Sequence, residues 1–363
     1  MLDVHTYDRA VTTSSSSTPR IRDRSLVAFG VACAAGLVVA HFAYANSDPS
    51  NASDFTWYWR AGRAVLAGES PYQAINATGP YPYNEGFLYP LPAALIAAPF
   101  AALALWPAMV GFCAVLAGCL AFTLTRDGFW RLPILMSFPM VWCAQSGQLA
   151  PLGVAAAMAP VLGGLAIAKP TLAIAAFAYA PRKRFILSAA VMLAITLAIA
   201  PTWPNEYAAE IGARTGANYH IPLRVLPGPL LLLAVLRWRR PEARLLLAMA
   251  CVPQTMLFYD QLPLLLIART FRQSLVLALG SYLPIVAIYM LPRPADDSLV
   301  ATLATTSPVI VCLYYLPCLV EVLRRPNVGN VPRVIERFST AFPEWLRGSP
   351  LDEARRLREC GDL

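Results

Sequence analysis

Asp54, Lys169 and Asp260 each interrupt sequence that is otherwise aromatic or apolar. Acid–base and anion-binding chemistry would start from such groups. Asp54 stands beside Phe55, Trp57, Tyr58 and Trp59. A carboxylate in those surroundings can take the proton of a hydroxyl as the oxygen attacks. At the head of a helix it would equally serve as a capping acid favoured by the dipole. Lys169 is one of two lysines and breaks the run Gly163-Gly164-Leu165-Ala166-Ile167-Ala168. A cation near a bilayer centre costs about 2.5–3.5 kcal/mol on insertion scales, so it faces a cavity or a partner. A phosphate suits its point charge, and snorkelling to an interface is the other reading. Asp260, between Tyr259 and Gln261, pairs with an arginine or with Lys169, or serves as an interface turn acid. Gln145 and Gln148 would bond a polar ligand or act as glue between helices. Glu69 and Glu85 read as solvated loop acids.

The elements that must position these residues belong to a membrane. Of 363 residues 57% are hydrophobic and only 14% charged, where soluble domains run nearer a quarter charged. Long runs carry no Asp, Glu, Lys or Arg, among them 26–45, 86–125, 132–168, 185–205, 274–292 and 298–320. A spanning helix needs about 20 apolar residues, so the sequence predicts an all-α integral membrane protein of about ten to twelve spans. Soluble repeat, disordered and nucleic-acid-binding classes are excluded. The net charge of +8 reads as topology. Basic residues gather in 1–25, 182–184, 237–244, 269–272 and the tail from Arg324, whereas 46–85 and 293–297 are net acidic. By the positive-inside rule the basic segments are cytoplasmic. The predicted organisation is a polar N-terminus 1–25, a membrane domain 26–323 and a basic tail 324–363.

Within the membrane domain, 46–86 is expected to be an outer loop. Asp54–Gly68 has helical spacing, with Phe55, Tyr58, Trp59, Gly62, Val65 and Leu66 on one face, Ser53 as cap and Gly68 as stop. This predicts an amphipathic helix lying in the outer interface. Residues 87–105 and 107–125 read as a helical pair turned at Trp106-Pro107. Pro139, Pro151, Pro160 and Pro170 cut 132–180 into pieces too short to span, around the polar run Gln145–Gln148. Broken helices are tolerated where they line a cavity, so a cavity is expected there. Span 185–203, loop 204–222 and return 223–236 follow, then 245–258 with 262–268, and 274–291 with 299–323. Cysteines other than Cys360 lie in apolar runs and read as small buried hydrophobes. No nucleotide loop, Walker sequence or HExxH is present, and no cluster has metal-ligand spacing.

Asp54-Phe55-(x)2-Tyr58, Gly68-Glu69-Ser70-Pro71-Tyr72, Phe87-Leu88-Tyr89-Pro90-Leu91-Pro92, Gly147-Gln148 and Ala168-Lys169-Pro170 follow one another in order. In this succession, over about 25–290, the chain resembles the polytopic GT-C glycosyltransferases, most closely glycosyltransferase family 87. That family includes mannosyltransferases and arabinofuranosyltransferases that use polyprenyl-phosphate sugars. The chain departs from the family pattern at Leu91, where a second Pro is common, and at Leu149-Ala150, where an Asn is. The resemblance implies a GT-C-like bundle in a bacterial-type plasma membrane, with 46–86 as a catalytic loop facing outward. It implies inverting transfer from a polyprenyl-phosphate sugar to a hydroxyl of a glycolipid or glycan. Asp54 would be the base, and Lys169, Gln148, Arg60, Tyr89 and Asp260 would bind donor phosphate or substrate. No cofactor beyond the lipid-linked donor is expected, and transfer is expected to need no metal. The competing expectation is a transporter or flippase for a lipid-linked or small solute, which would explain the broken helices and Lys169 but not a long acidic, aromatic first loop.

Overall fold

The computed structural model describes residues 19–46, 50–83, 86–214, 220–291 and 299–328, with a few positions between 332 and 343. The tail and polar N-terminus therefore lie largely outside the described residues, as do Glu85, Cys360 and the acidic loop 293–297. The structure is 74% helical, and no strand occurs among the described residues.

The first helix, α1 (Ile21–Ala45), begins five residues earlier than the apolar run, taking Arg22, Asp23 and Arg24 into its first turns. Its 25 residues are about 37 Å long at 1.5 Å per residue, more than the ~30 Å apolar core of a bilayer. It packs along α4 (Leu105–Leu124). Gly118 is the reason the two can approach, because a Cβ there would stand 3.2 Å from the Ala32 Cβ. The Arg24 guanidinium fastens one end of the pair, donating to Phe122 O at 2.8 Å and lying 4.1 Å from the centre of its ring.

Between them, α2 (Phe55–Leu66) lays Phe55, Tyr58, Ala61, Gly62 and Ala64 against α3 (Leu91–Ala97) and the 3-10 turn Ala98–Phe100. This corrects the predicted face, since Leu66 is 63% exposed, and the apolar side is covered by protein. Asp54, not Ser53, occupies the N-cap position, and Ser53 has a positive φ of 51°. Gly68 ends the helix as expected, with φ 77° and its N–H bonded to Val65 O. Trp106-Pro107 is not a turn: both residues lie in the first turn of α4, where a missing N–H costs nothing. The chain turns instead at 101–104.

The stretch 132–180 is broken where its prolines fall. A 3-10 turn (Leu132–Met136), α5 (Phe138–Ser146), α6 (Ala150–Met158), two short turns over 160–166 and α7 (Pro170–Tyr179) succeed one another. Pro139, Pro151, Pro160 and Pro170 each sit at the first or second position of a new element, where proline is accommodated. Beyond it, α8 (Lys183–Ile199) and α9 (Trp203–Arg214) meet at 96°. The expected loop from 204 is thus helical in its first half. The return 223–236 is a 3-10 helix, Gly228–Arg237. It leads to α10 (Pro241–Cys251), the 3-10 helix Tyr259–Ile267, α11 (Phe271–Gly280), α12 (Leu283–Met290) and α13 (Leu299–Ile310). A π turn (Val311–Tyr315) joins α13 to α14 (Leu316–Leu323).

Where ten to twelve spans were expected, the described residues hold four helices long and apolar enough to cross a membrane, or five if the bent α8–α9 pair is one. The other apolar elements are short because proline or 3-10 geometry interrupts them. Among the described cysteines only Cys113, Cys143 and Cys318 are buried, while Cys33, Cys251 and Cys312 face outward from the helices.

Three of the basic segments, 237–244, 269–272 and the start of the tail, come together. Glu242 pairs with Arg269 at 2.5 Å and Arg325 at 3.0 Å. Arg237 donates to Arg325 O and Leu323 O, Arg240 to Pro326 O, and Arg244 to Ala178 O. Burial pushes the Glu242 carboxyl up, but Arg325 and Arg269 outweigh it and hold the pKa at about 2. Arg131 joins the same field around Tyr179.

Candidate functional site

At the far end of α1 the chain enters α2, and Asp54 stands at the junction. Its side chain makes no capping bond. Instead the Gln148 Nε2 donates to Asp54 Oδ2. Gln148 is 1% exposed and follows Gly147, which ends α5 in the left-handed conformation at φ 68°. That turn brings the backbone against α2: a Cβ on Gly147 would lie 2.5 Å from the Phe55 Cβ. Glycine is required both for the positive φ and for the approach.

The other end of the Gln148 amide reaches Lys169. Lys169 Nζ donates to Gln148 Oε1 at 3.1 Å and pairs with Asp260 Oδ1 at 2.5 Å. It also lies 4.3 Å from the centre of the Tyr259 ring, within cation–π range. The side chains of Lys169 and Asp260 are 13% and 2% exposed, so the lysine does not snorkel and the acid is not a surface turn. Asp260 Oδ2 accepts from Thr255 N at 3.3 Å and Thr255 Oγ1 at 3.2 Å. The non-helical backbone that offers these donors carries two non-glycine residues at positive φ, Met256 and Phe258. Such strain persists only where surrounding structure holds it, and it concentrates at functional sites.

A continuous polar chain therefore runs from Asp54 through Gln148 and Lys169 to Asp260. It crosses the seam between two apolar clusters, one holding Phe55, Tyr58 and Leu149, the other Ala150 and Tyr259. Tyr58 OH donates weakly to Gln148 Oε1 at 3.4 Å, and its ring meets Tyr89 edge-on at 4.6 Å. Tyr89 thus borders the chain through Tyr58. Arg60 does not join it: its guanidinium donates to Pro82 O and lies over the Tyr83 ring at 4.5 Å. Of the six residues singled out in the sequence, four form the chain, one borders it and one braces the loop beside it. Thr255 was missed, and only its nearness to a lone acid could have marked it.

An open cavity of about 470 Å³ adjoins this end, lined by Asn46, Ser53, Trp106, Trp142, Gln145 and Ser146 among others. Its size falls in the range of small-molecule sites. It opens beside the polar break expected to line one, and Ser53 and Ser146 tie it to the segments that carry Asp54 and Gln148. Among the described residues no three His, Cys, Asp or Glu side chains gather in a group able to hold a metal ion.

Fold and site together define an all-helical protein with several membrane-length apolar helices, arginine-rich at one end and bearing an acid–amide–ammonium–acid chain at the other. No protein-family model, curated protein or solved structure matches the chain.

Proposed function

We propose that the protein is a multi-pass GT-C-like membrane glycosyltransferase. It would move a sugar from a polyprenyl-phosphate donor to an acceptor hydroxyl on a glycolipid or glycan, at the membrane face opposite the arginine-rich end. The observation that carries this reading is the chain joining Asp54 to Lys169, two residues 115 positions apart by their numbering. Transfer needs a base for the acceptor and a cation for the departing phosphate, close but separate. Asp54 takes the acceptor proton as the oxygen forms its bond to the anomeric carbon on the face opposite the phosphate. The bond from that carbon to the phosphate oxygen breaks, and its electron pair leaves with the lipid phosphate. Lys169 meets the charge that develops there. Trp106 and Trp142, with the polar side chains between them, give the adjoining cavity the aromatic and hydrogen-bonding surface a sugar ring requires.

Membranes containing the protein should consume a polyprenyl-phosphate sugar. Asp54→Asn should lower kcat by at least 100-fold, the lower bound of typical general-base contributions, and Lys169→Ala should also lower kcat. Full transfer by Asp54→Asn would remove the mechanism. One observation favours a second reading. A single ammonium lies in one chain with two carboxylates, and a proton could rebalance that arrangement in a proton-coupled carrier. Wild-type protein that leaves the donor intact but moves a solute across vesicles under a proton gradient would establish the carrier instead.

A further inference from the structure

We propose that Gln148 is a positioning residue whose amide, held in one orientation by Lys169 and Tyr58, sets the proton affinity of Asp54. It thereby ties the state of the base to the occupancy of Lys169. The inference deepens the glycosyltransferase reading and rests on it for its catalytic meaning, but the linkage itself is a property of the resting protein.

The orientation of a carboxamide is settled by its neighbours' chemistry. Lys169 Nζ, 3.1 Å away, can only donate, and Tyr58 OH, at 3.4 Å, also points its proton to the same oxygen. The ammonium demands Oε1 and the Tyr58 hydroxyl is compatible with it, so the NH2 must face the other way, toward Asp54 Oδ2. At 1% exposure no water competes for either end. A donor bonded to a carboxylate favours the ionised form, so in the resting state Asp54 is held as a weak base. Lys169 has three N–H groups; Asp260 and Gln148 occupy two and the Tyr259 ring faces the ammonium. An incoming phosphate oxygen draws the ammonium from Gln148, which frees the amide to turn and relaxes its hold on Asp54. The base then gains proton affinity when a donor is in place. The ionisable groups around this unit are Asp54 and Tyr58 from the α2 segment, Tyr89, Cys143 from α5, Lys169, and Tyr259 with Asp260. Of these, Lys169 and Asp260 are joined to Asp54 through Gln148.

The test follows Asp54 itself, in full-length protein in lipid nanodiscs, by infrared titration of its carboxyl against an Asp54→Asn reference. Gln148→Leu should raise the midpoint by one pH unit or more. Gln148→Glu, nearly isosteric, should raise it further, because a carboxylate then faces Asp54 where an N–H did. Lys169→Met should raise the midpoint in the wild-type background and raise it less in the Gln148→Leu background, since part of its influence passes through the amide. A midpoint unmoved in either Gln148 variant would overturn the proposal, and so would equal shifts from Lys169→Met in both backgrounds. In the transfer assay, the acid limb of the rate profile should move with the midpoint, so that activity lost at neutral pH returns at higher pH. If wild-type protein transfers no sugar while the titration behaves as stated, the glycosyltransferase reading fails and the linkage stands.

Discussion

An ammonium only 13% exposed requires an anion, and Asp260 at 2% exposure is that anion. Removing one member of a buried pair leaves the other charge uncompensated, typically costing 3–5 kcal/mol, while removing both is often close to neutral. Asp260→Asn should therefore lower stability by about 3 kcal/mol or more, and Asp260→Asn with Lys169→Met should cost less than the single change. Thermal unfolding in detergent measures both, and additive losses would mean that the two residues are not coupled. Arg60 supplies the contrast. It holds Pro82 and Tyr83 rather than the polar chain, so Arg60→Ala should loosen loop 80–83 to proteolysis and leave the Asp54 titration in place. Scarcity made the site legible: in a chain with two lysines, an isolated charge in apolar sequence had to be partnered. Which partner each would choose was not legible. Lys169 and Asp260 are brought together by packing between segments 91 positions apart, and no local pattern encodes such a distance. Arg60 was expected beside the donor phosphate from the resemblance alone, and the carbonyl and ring that it contacts could not be read from its place in the sequence.

At the scale of elements, a glycine decides how near α2 comes to the break after α5. Gly147 combines a φ of 68° with a Phe55 Cβ 2.5 Å from where its own Cβ would be. Left-handed backbone costs an L-residue about 1–2 kcal/mol, and overpacking adds about 1–3 kcal/mol. Gly147→Ala should thus destabilise the protein by roughly 2–5 kcal/mol and, by pushing Phe55 away, separate Asp54 from Gln148. Unfolding measures the first effect and the Asp54 titration the second; a stable variant with an unchanged titration would contradict the packing argument. Breaks of this kind were readable because proline removes an N–H and fixes φ wherever it falls. Each proline of 139–170 accordingly opens a new element. Trp106-Pro107 was misread because the same property lets proline begin a helix as readily as end one. The 3-10 segments Gly228–Arg237 and Tyr259–Ile267 gave no warning, since their apolar runs are those of an α-helix. Hence the sequence overcounts spans: hydropathy measures how apolar a segment is, and a 3-10 or broken segment satisfies it without a continuous membrane-length helix.

Over the whole molecule, charge is sorted along α1. Arg24 fastens its N-terminal end to Phe122, and Asp54 opens the polar chain past its C-terminal end. Arginines of 237–244, with Arg269 and Arg325, gather around Glu242. The clustering was legible as a bias in composition, but the single acid that organises it was not. Glu242, whose side chain is 3% exposed, draws Arg269 and Arg325 onto one carboxylate, and Arg237 and Arg240 then clasp the backbone that leaves α14. The arrangement has a pH signature whose sign is fixed by the direction of the shift. The folded-state pKa of about 2 lies below the ordinary 4.5. A depressed carboxyl stabilises the fold above its unfolded pKa and loses that contribution as pH falls through the folded value. At 1.36 kcal/mol per unit the contribution is about 3 kcal/mol, present in full at neutral pH and lost between about 4.5 and 2. Unfolding in detergent should show wild-type stability falling across that window, with a shallower fall in Glu242→Gln. Glu242→Ala strands the buried Arg325 guanidinium and leaves the partly exposed Arg269 without its carboxylate, and at neutral pH it should cost about 3–5 kcal/mol. The damage should be local first, because the carboxylate fastens Arg325 at the start of the tail. Limited proteolysis of Glu242→Ala should open a new cut near 324–328 while leaving α1 and α4 protected. Cleavage spread evenly over the chain would show instead that Glu242 supports the bundle as a whole and not the seat of its tail.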